Sequence, residues 1–356
     1  MTLRRTRLRR REVGSACRRT RASGGRLPAD ARSVSSEAVS WASEHAQSVF
    51  GALDGAFSGN GIVVAVTAID AAGTVLVASD GLPADGRFEI GSVTKTMTAT
   101  LLACLVGDGT VALGDAIGRW LDAGPNADIT LEELATHTSG LPRLAPNQPT
   151  LRPNPYRKFS AERAEKGLRA TTRTPGSPRV YSNFGYQLLG LAIERATGRA
   201  YQDLLAERLL QPLAMRCSGA GAAGGGIRLT GHAHGRPVGH WDHALPGPGA
   251  VEASIGDLAS YLFACLSPPP GRLGAALELC QVPRVPIDER RASGLGWNIL
   301  RGKLWHNGGT GGFAACVGLD RAAMHGLGVL VNTQGKAAAV VTDAVVLALT
   351  GHETPS

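Results

Sequence analysis

The chain has 356 residues, 43% of them hydrophobic, which suffices for a large core and excludes a small binding module. Its formal charge of +8 suggests nucleic acid only until it is mapped: residues 1–32 carry eleven arginines against Glu12 and Asp30, an excess of nine, so the remainder is close to neutral. No run of about 18 uncharged apolar residues occurs, so no transmembrane helix is predicted, and neither nucleic acid nor a membrane is expected as a partner.

In chain order, residues 1–35 read as a disordered basic tail. They lack the apolar run of an export signal, so the chain as encoded is expected in the cytoplasm, with a secreted or periplasm-like setting open if the start is mis-assigned. From Ser36 to about Phe57 the pattern is that of an amphipathic helix. Two β-rich runs follow, Gly61–Ile69 and Thr74–Ala78, joined by the turn-like Asp70-Ala71-Ala72-Gly73. Phe88-Glu89-Ile90 is a short extended piece, and after Gly91 a helical pattern puts Met97, Leu101, Cys104 and Leu105 on one face. Ser92 is thereby predicted at a helix N-terminus.

From about 107 to 289, helices alternate with Gly/Pro-rich loops at 142–155, 219–226 and 244–250. Thr130-Leu131-Glu132-Glu133 has the capping-box form and Ser254-Ile255-Gly256-Asp257 a related one, while a helix from Asn183 to about Thr197 stops at Gly198. β patterning then returns at Leu295–Leu300, Lys303–His306, Ala314–Leu319 and Leu327–Val331, and an apolar helix closes the chain at about 336–349. The two ends are thus predicted to meet in one antiparallel sheet flanked by terminal helices, an α/β fold carrying a large, mostly helical insertion. The expected catalytic domain spans 36–352, its α/β part 36–91 and 290–352 and its helical part 92–289.

The six cysteines lack metal-ligand or disulfide spacing and read as buried thiols. His232, His234, His240 and His243 cluster, but only Asp242 accompanies them, so no metal is expected.

Three segments carry chemistry. Gly91-Ser92-Val93-Thr94-Lys95 is an S-x-x-K, and three residues is nearly one helical turn, so Lys95 projects on the side of Ser92. A serine hydroxyl is a weak nucleophile without a base beside it, and a lysine amine becomes that base when burial or a neighbouring cation lowers its pKa. A helix N-terminus adds N–H groups and a positive dipole end for a developing oxyanion. Alone, the pair fits an N-cap serine with a solvated lysine better than a catalytic pair. Tyr181-Ser182-Asn183 precedes a helix; a phenol bonded to a lysine can shuttle a proton, and an amide can hold the lysine and a substrate carbonyl. His306-Asn307-Gly308-Gly309 leaves a strand, and its small residues let a substrate lie along the edge where a backbone N–H completes an oxyanion hole.

S-x-x-K, Y-x-N and K/H-x-G in that order resemble the serine β-lactamase and penicillin-binding-protein superfamily. Tyr-x-Asn makes the chain similar to the class C β-lactamases, the His-type D-Ala-D-Ala carboxypeptidases and related esterases. Thr136-His137-Thr138-Ser139-Gly140-Leu141 and Tyr181–Tyr186 with Gly190 add to the likeness, which covers roughly residues 40–350. The resemblance implies a β-lactamase/transpeptidase-like fold, with Ser92 the acylated nucleophile and Lys95 and Tyr181 the proton-transfer pair. It makes Asn183 a positioner of Lys95 and substrate, the Ser92 and Gly309 N–H groups the oxyanion hole, and His306, Asn307 and Gly308 the wall of the substrate site. The family's K-T-G is here His306-Asn307-Gly308, which alters the fixed cation and hydroxyl that hold a substrate carboxylate; penicillin hydrolysis is not favoured, and His306 would need its proton to help. Arg143, Arg152 and Arg157 are either replacement cations or solvated charges. His137 reads as structural, and Tyr156, Tyr186 and Trp241 as cleft or packing residues.

The expected activity is acyl transfer through a Ser92 acyl-enzyme on an ester, amide or lactam carbonyl of a small molecule or peptide, esterase- or peptidase-like, by a monomer needing no metal or organic cofactor. A true β-lactamase, a D-Ala-D-Ala carboxypeptidase, and an acyltransferase or cyclising thioesterase are the enzyme alternatives. An idle penicillin-binding sensor is the non-enzyme one, and joint retention of Ser92, Lys95, Tyr181 and Asn183 argues against it.

Overall fold

The computed structural model describes residues 40–351 except 58, 60, 152, 174, 175 and 177. The Arg-rich tail, the predicted helix start at Ser36 and Arg152 lie outside the described residues. Among the described residues, no helix is long and apolar enough to cross a membrane.

The opening helix runs Trp41–Ala56, and its cap, Ser40, accepts the Ser43 N–H through its side chain. The first hairpin follows as Val64–Asp70 and Gly73–Ala78. Its turn is held by Asp70, whose Oδ1 accepts from Ala72 and Gly73 while Oδ2 accepts from Ala42 at the start of the helix. As expected, this hairpin joins the C-terminal strands. One antiparallel sheet runs Gly73–Ala78, Val64–Asp70, His325–Val331, Ala314–Asp320, Lys303–Gly309, Asn298–Leu300, Arg291–Ser293 and Val285–Pro286, with Val64 opposite Val331 and Ile69 opposite Gly326. Asn332 stitches the ends together: Oδ1 accepts from Val63, and Nδ2 donates to the carbonyls of Gly61 and Thr230.

The strand Val64–Asp70 is buried at every position because both faces of the sheet are covered. Val64, Val66 and Ala68 pack with Leu53 of the opening helix and Val341 and Val345 of the closing helix, Ala337–Thr350. Ala65 and Ile69 face the larger core on the other side. Two glycines set these distances: a Cβ at Gly318 would run into Val345 and Leu349, and one at Gly328 into Leu258 and Leu262 of the helix Ile255–Leu266.

The Ser92 helix, Thr94–Gly107, differs from its expected one-faced pattern, since Thr94 through Leu105 are all buried. A helix sheathed on every side must satisfy its polar groups internally. The Oγ1 atoms of Thr98 and Thr100 donate to the carbonyls of Thr94 and Thr96, Thr98 also reaches the Gly247 carbonyl and the Tyr201 hydroxyl, and Tyr261 donates to Thr96. The capping box at Thr130 forms as expected, as does the glycine stop at Gly198, φ 66°. The strand expected at Leu295–Leu300 shortens to Asn298–Leu300, because Gly296, φ 72°, bends the chain against the Lys95 carbonyl. The next strand runs on through Gly309.

Candidate active site

The floor of the site is the turn into the Ser92 helix. Ile90 N–H donates to the Val251 carbonyl, and at Gly91 the backbone takes φ +49°, where a Cβ would lie 2.6 Å from the Gly309 nitrogen. Ser92 falls in a single 3₁₀ turn, Gly91–Val93, ahead of the α-helix, and makes no cap bond with its side chain. Lys95 Nζ lies 2.9 Å from its Oγ. The lysine is fully buried; its second partner is the Pro248 carbonyl at 2.8 Å, and the Tyr181 ring centroid is 4.9 Å away. Burial first, and Arg143 second, hold the Lys95 amine well below the usual lysine range. A neutral amine can then accept the Ser92 proton.

Tyr181 precedes the helix Asn183–Thr197, capped by Ser182. Burial pushes its phenol up to about 12, against the opposing influence of a hydrogen bond to Ser92 and of Arg143, so it stays protonated at neutral pH. Asn183 departs from expectation: its Nδ2 donates to the Tyr156 hydroxyl at 2.8 Å, and among the described residues Lys95 is bonded to Ser92 and Pro248 instead. The proline carbonyl, inside a Gly/Pro loop, does the holding expected of the amide. Asn183 Oδ1 is buried without a partner among the described residues, which leaves an acceptor in the cleft wall.

Trp305, Asn307, Gly308 and Gly309 line a cleft of about 560 Å³ together with Ser92, Tyr181 and Asn183. His306 does not line it. Strand alternation turns its ring inward, where it is 2% exposed, 6.2 Å from the Tyr181 ring, with Nδ1 at 2.6 Å from the Asn307 carbonyl oxygen. Burial first, then Lys95, take its pKa down to about 3, so it is neutral at physiological pH. The expectation that His306 walls the substrate site is therefore corrected: its ring faces away from the cleft, and Asn307 and Gly308 form that wall. Asn307 donates to Thr342 of the closing helix at 3.0 Å, and Gly308 sits against Ile90 and Ser92 with no room for a side chain.

Of the arginines offered by the sequence, Arg143 reaches the cleft. Its guanidinium stands 5.2 Å from the Tyr181 ring centroid, and its carbonyl accepts from Asn183 and Phe184. Arg157 pairs with Asp242 at 3.9 Å away from the cleft. Tyr156 and Trp241 line the cleft, whereas Tyr186 is buried beneath it and donates to the Ala135 carbonyl. The four clustered histidines disperse: His232 faces Asn332, His234 is exposed, His240 bonds Glu89, and His243 stacks on Tyr156 in the cleft. Among the described residues, one group, Glu89, His240 and Glu252, approaches metal-ligand geometry, and Arg87 and Arg228 already pair with Glu252. His243 and Pro248 went unmarked in the sequence, the first read only as a metal candidate and the second contributing through its backbone.

Sheet, helices and cleft together form a β-lactamase/transpeptidase-like fold. Over residues 53–352 the sequence matches the family model described as Beta-lactamase, and the chain belongs to that family. It is 35% identical over 139 residues to the D-alanyl-D-alanine-carboxypeptidase/endopeptidase AmpH of Escherichia coli (strain K12), and 29% identical over 147 residues to penicillin-binding protein 4* of Bacillus subtilis (strain 168). A third similarity, 30% over 136 residues, is to protein flp of Staphylococcus aureus (strain MW2). These stretches cover 37%, 38% and 36% of this chain and 36%, 30% and 27% of the relatives, so each match spans between a quarter and just over a third of the relative's own length.

Proposed function

We infer that the protein is a hydrolase working through a Ser92 acyl-enzyme, and the observation that carries this is the buried Lys95 amine 2.9 Å from Ser92 Oγ. Ser92 Oγ attacks the substrate carbonyl carbon while its proton passes to Lys95 Nζ. The carbonyl oxygen becomes an oxyanion that the Ser92 and Gly309 N–H groups receive at the helix start. As the tetrahedral intermediate collapses, the bond to the leaving group breaks and that group takes a proton through Lys95 and Tyr181. Water then attacks the acyl carbonyl, giving its proton to the same base; the bond from Ser92 Oγ to the acyl carbon breaks, Oγ takes that proton back, and the acid is released.

Neutral acyl esters suit the strand wall, because His306 turns its ring away from the cleft and Asn307 stands where a K-T-G carries its hydroxyl. A second reading, carboxypeptidase-like hydrolysis of an amide that bears a carboxylate, is favoured by Arg143 at the cleft and by the name of the Escherichia coli relative. Comparing kcat/KM for p-nitrophenyl esters, acyl-D-Ala-D-Ala and nitrocefin separates the two. Esters lead under the first reading, the peptide under the second, and failure of a fluorophosphonate to label Ser92 overturns both.

A further inference from the structure

Tyr181 stands in a stretch, residues 178–182, that is neither helix nor strand, so something other than regular structure must keep its phenol beside Ser92. The flanking residues show what does. Val180 N–H donates to the His137 carbonyl at 2.9 Å, and Ser182 N–H donates to His137 Nδ1 at 3.1 Å. One residue thus holds the chain immediately before and immediately after Tyr181, and its ring lies on the phenol, centroids 4.5 Å apart. We propose that His137 is the positioning residue for Tyr181, clamping both flanks through its carbonyl and Nδ1; the role rests on Tyr181 being the proton carrier.

Three observations distinguish this from packing. A ring nitrogen that accepts a backbone N–H must be unprotonated, and His137 is kept so by burial first, then by the guanidinium of Arg179, with Lys95, His306 and Arg143 also facing it; the Tyr181 and Tyr186 rings pack against it. With Nδ1 accepting, the proton sits on Nε2, which is buried with no partner among the described residues. A leucine or phenylalanine would fill the space without an orphan donor. Finally, the backbone is at φ 65°, ψ 30°, the left-handed end of the helix Leu131–Thr136, where glycine or asparagine is the usual choice. Glycine there would offer Ser182 no acceptor.

His137→Phe keeps a ring and loses the acceptor, whereas His137→Asn keeps an acceptor near the Nδ1 position and tolerates the left-handed backbone. With a p-nitrophenyl ester as probe and the rate of fluorophosphonate labelling of Ser92 as a second readout, His137→Phe should lower kcat and labelling about a hundredfold, with KM changed by less than about threefold. His137→Asn should recover most of the loss. In a Tyr181→Phe background His137→Phe should have no further effect, because the group it positions is gone. Native rates in folded His137→Phe, or an undiminished loss in the Tyr181→Phe background, overturn the proposal. Should His137→Phe not fold, His137→Gly, which suits the backbone and lacks the acceptor, replaces it with the same expected and overturning results. Native rates in Tyr181→Phe itself would instead overturn the role of Tyr181 and this proposal with it, while fluorophosphonate labelling of Ser92 would leave the serine hydrolase standing.

Discussion

Gly308 lies directly against the carbonyl oxygen of Ile90, so closely that a methyl group on Gly308 would overlap it and come 2.9 Å from the Ser92 nitrogen. The strand edge and the nucleophile turn are therefore in backbone contact. Gly308→Ala should push them apart and lower kcat/KM by about a hundredfold, a loss typical of an ångström of misplacement. Steady-state kinetics beside a thermal melt would check it; full activity in a folded Gly308→Ala would show that the strand need not sit so close.

Ser92→Ala, Lys95→Ala and Tyr181→Phe should each remove most of kcat, and combining them should add little, since the groups act on one proton. A fluorophosphonate should label Ser92 alone. Peptide mapping of the labelled protein decides it.

The Lys95 amine titrates low because of burial and then Arg143. In the unfolded chain the same amine holds its proton up to about pH 10.4, so between the two pKa values the unfolded state binds more protons and stability rises with pH. Activity follows the same direction: kcat/KM should fall as acid protonates the amine. Arg143→Gln removes one of the two causes and should move the acid limb to higher pH. A limb that stays put would assign it to another group.

His306 is held neutral by burial and Lys95, with a folded pKa of about 3 against about 6.5 when unfolded. Its contribution to stability is present above the unfolded value and is lost as pH falls from about 6.5 toward 3. His306→Lys would bury an ammonium beside the Lys95 amine and should lower the melting temperature rather than improve activity on carboxylate substrates. A folded, more active His306→Lys would refute this.

Arg143 gives a different handle on substrates. If it meets a carboxylate, Arg143→Gln should reduce kcat/KM for acyl-D-Ala-D-Ala by roughly ten- to a hundredfold, matching about 1.5–3 kcal/mol for a charge-assisted hydrogen bond, and leave neutral esters nearly unchanged. Equal losses on both would deny it that role.

The sheet was legible because its determinants are local: apolar β-rich runs, the Asp70–Gly73 turn, and the apolar patterns of the two terminal helices. Ser92, Lys95 and Tyr181 were legible as motif residues, and they converge. What could not be read was direction and backbone. The sequence names His306 but not the face of the strand it occupies, and that face decides between a cation and a buried neutral ring. Pro248 reaches Lys95 through a carbonyl that any residue carries. The contacts of His137 with residues 180 and 182 depend on a loop path that no periodicity records.

Asn332 bonds the carbonyl of Gly61, 271 positions earlier, and the strands around it close the sheet from both ends of the described chain. During synthesis the Ser92 helix leaves the ribosome well before the strand that supplies Gly308 and Gly309, and that strand is itself anchored by the later one, His325–Val331. Loop closure on this scale makes assembly late and slow. A chain released early would carry Ser92 and Lys95 without the strand Lys303–Gly309 beside them, so the cleft is complete only with a finished sheet.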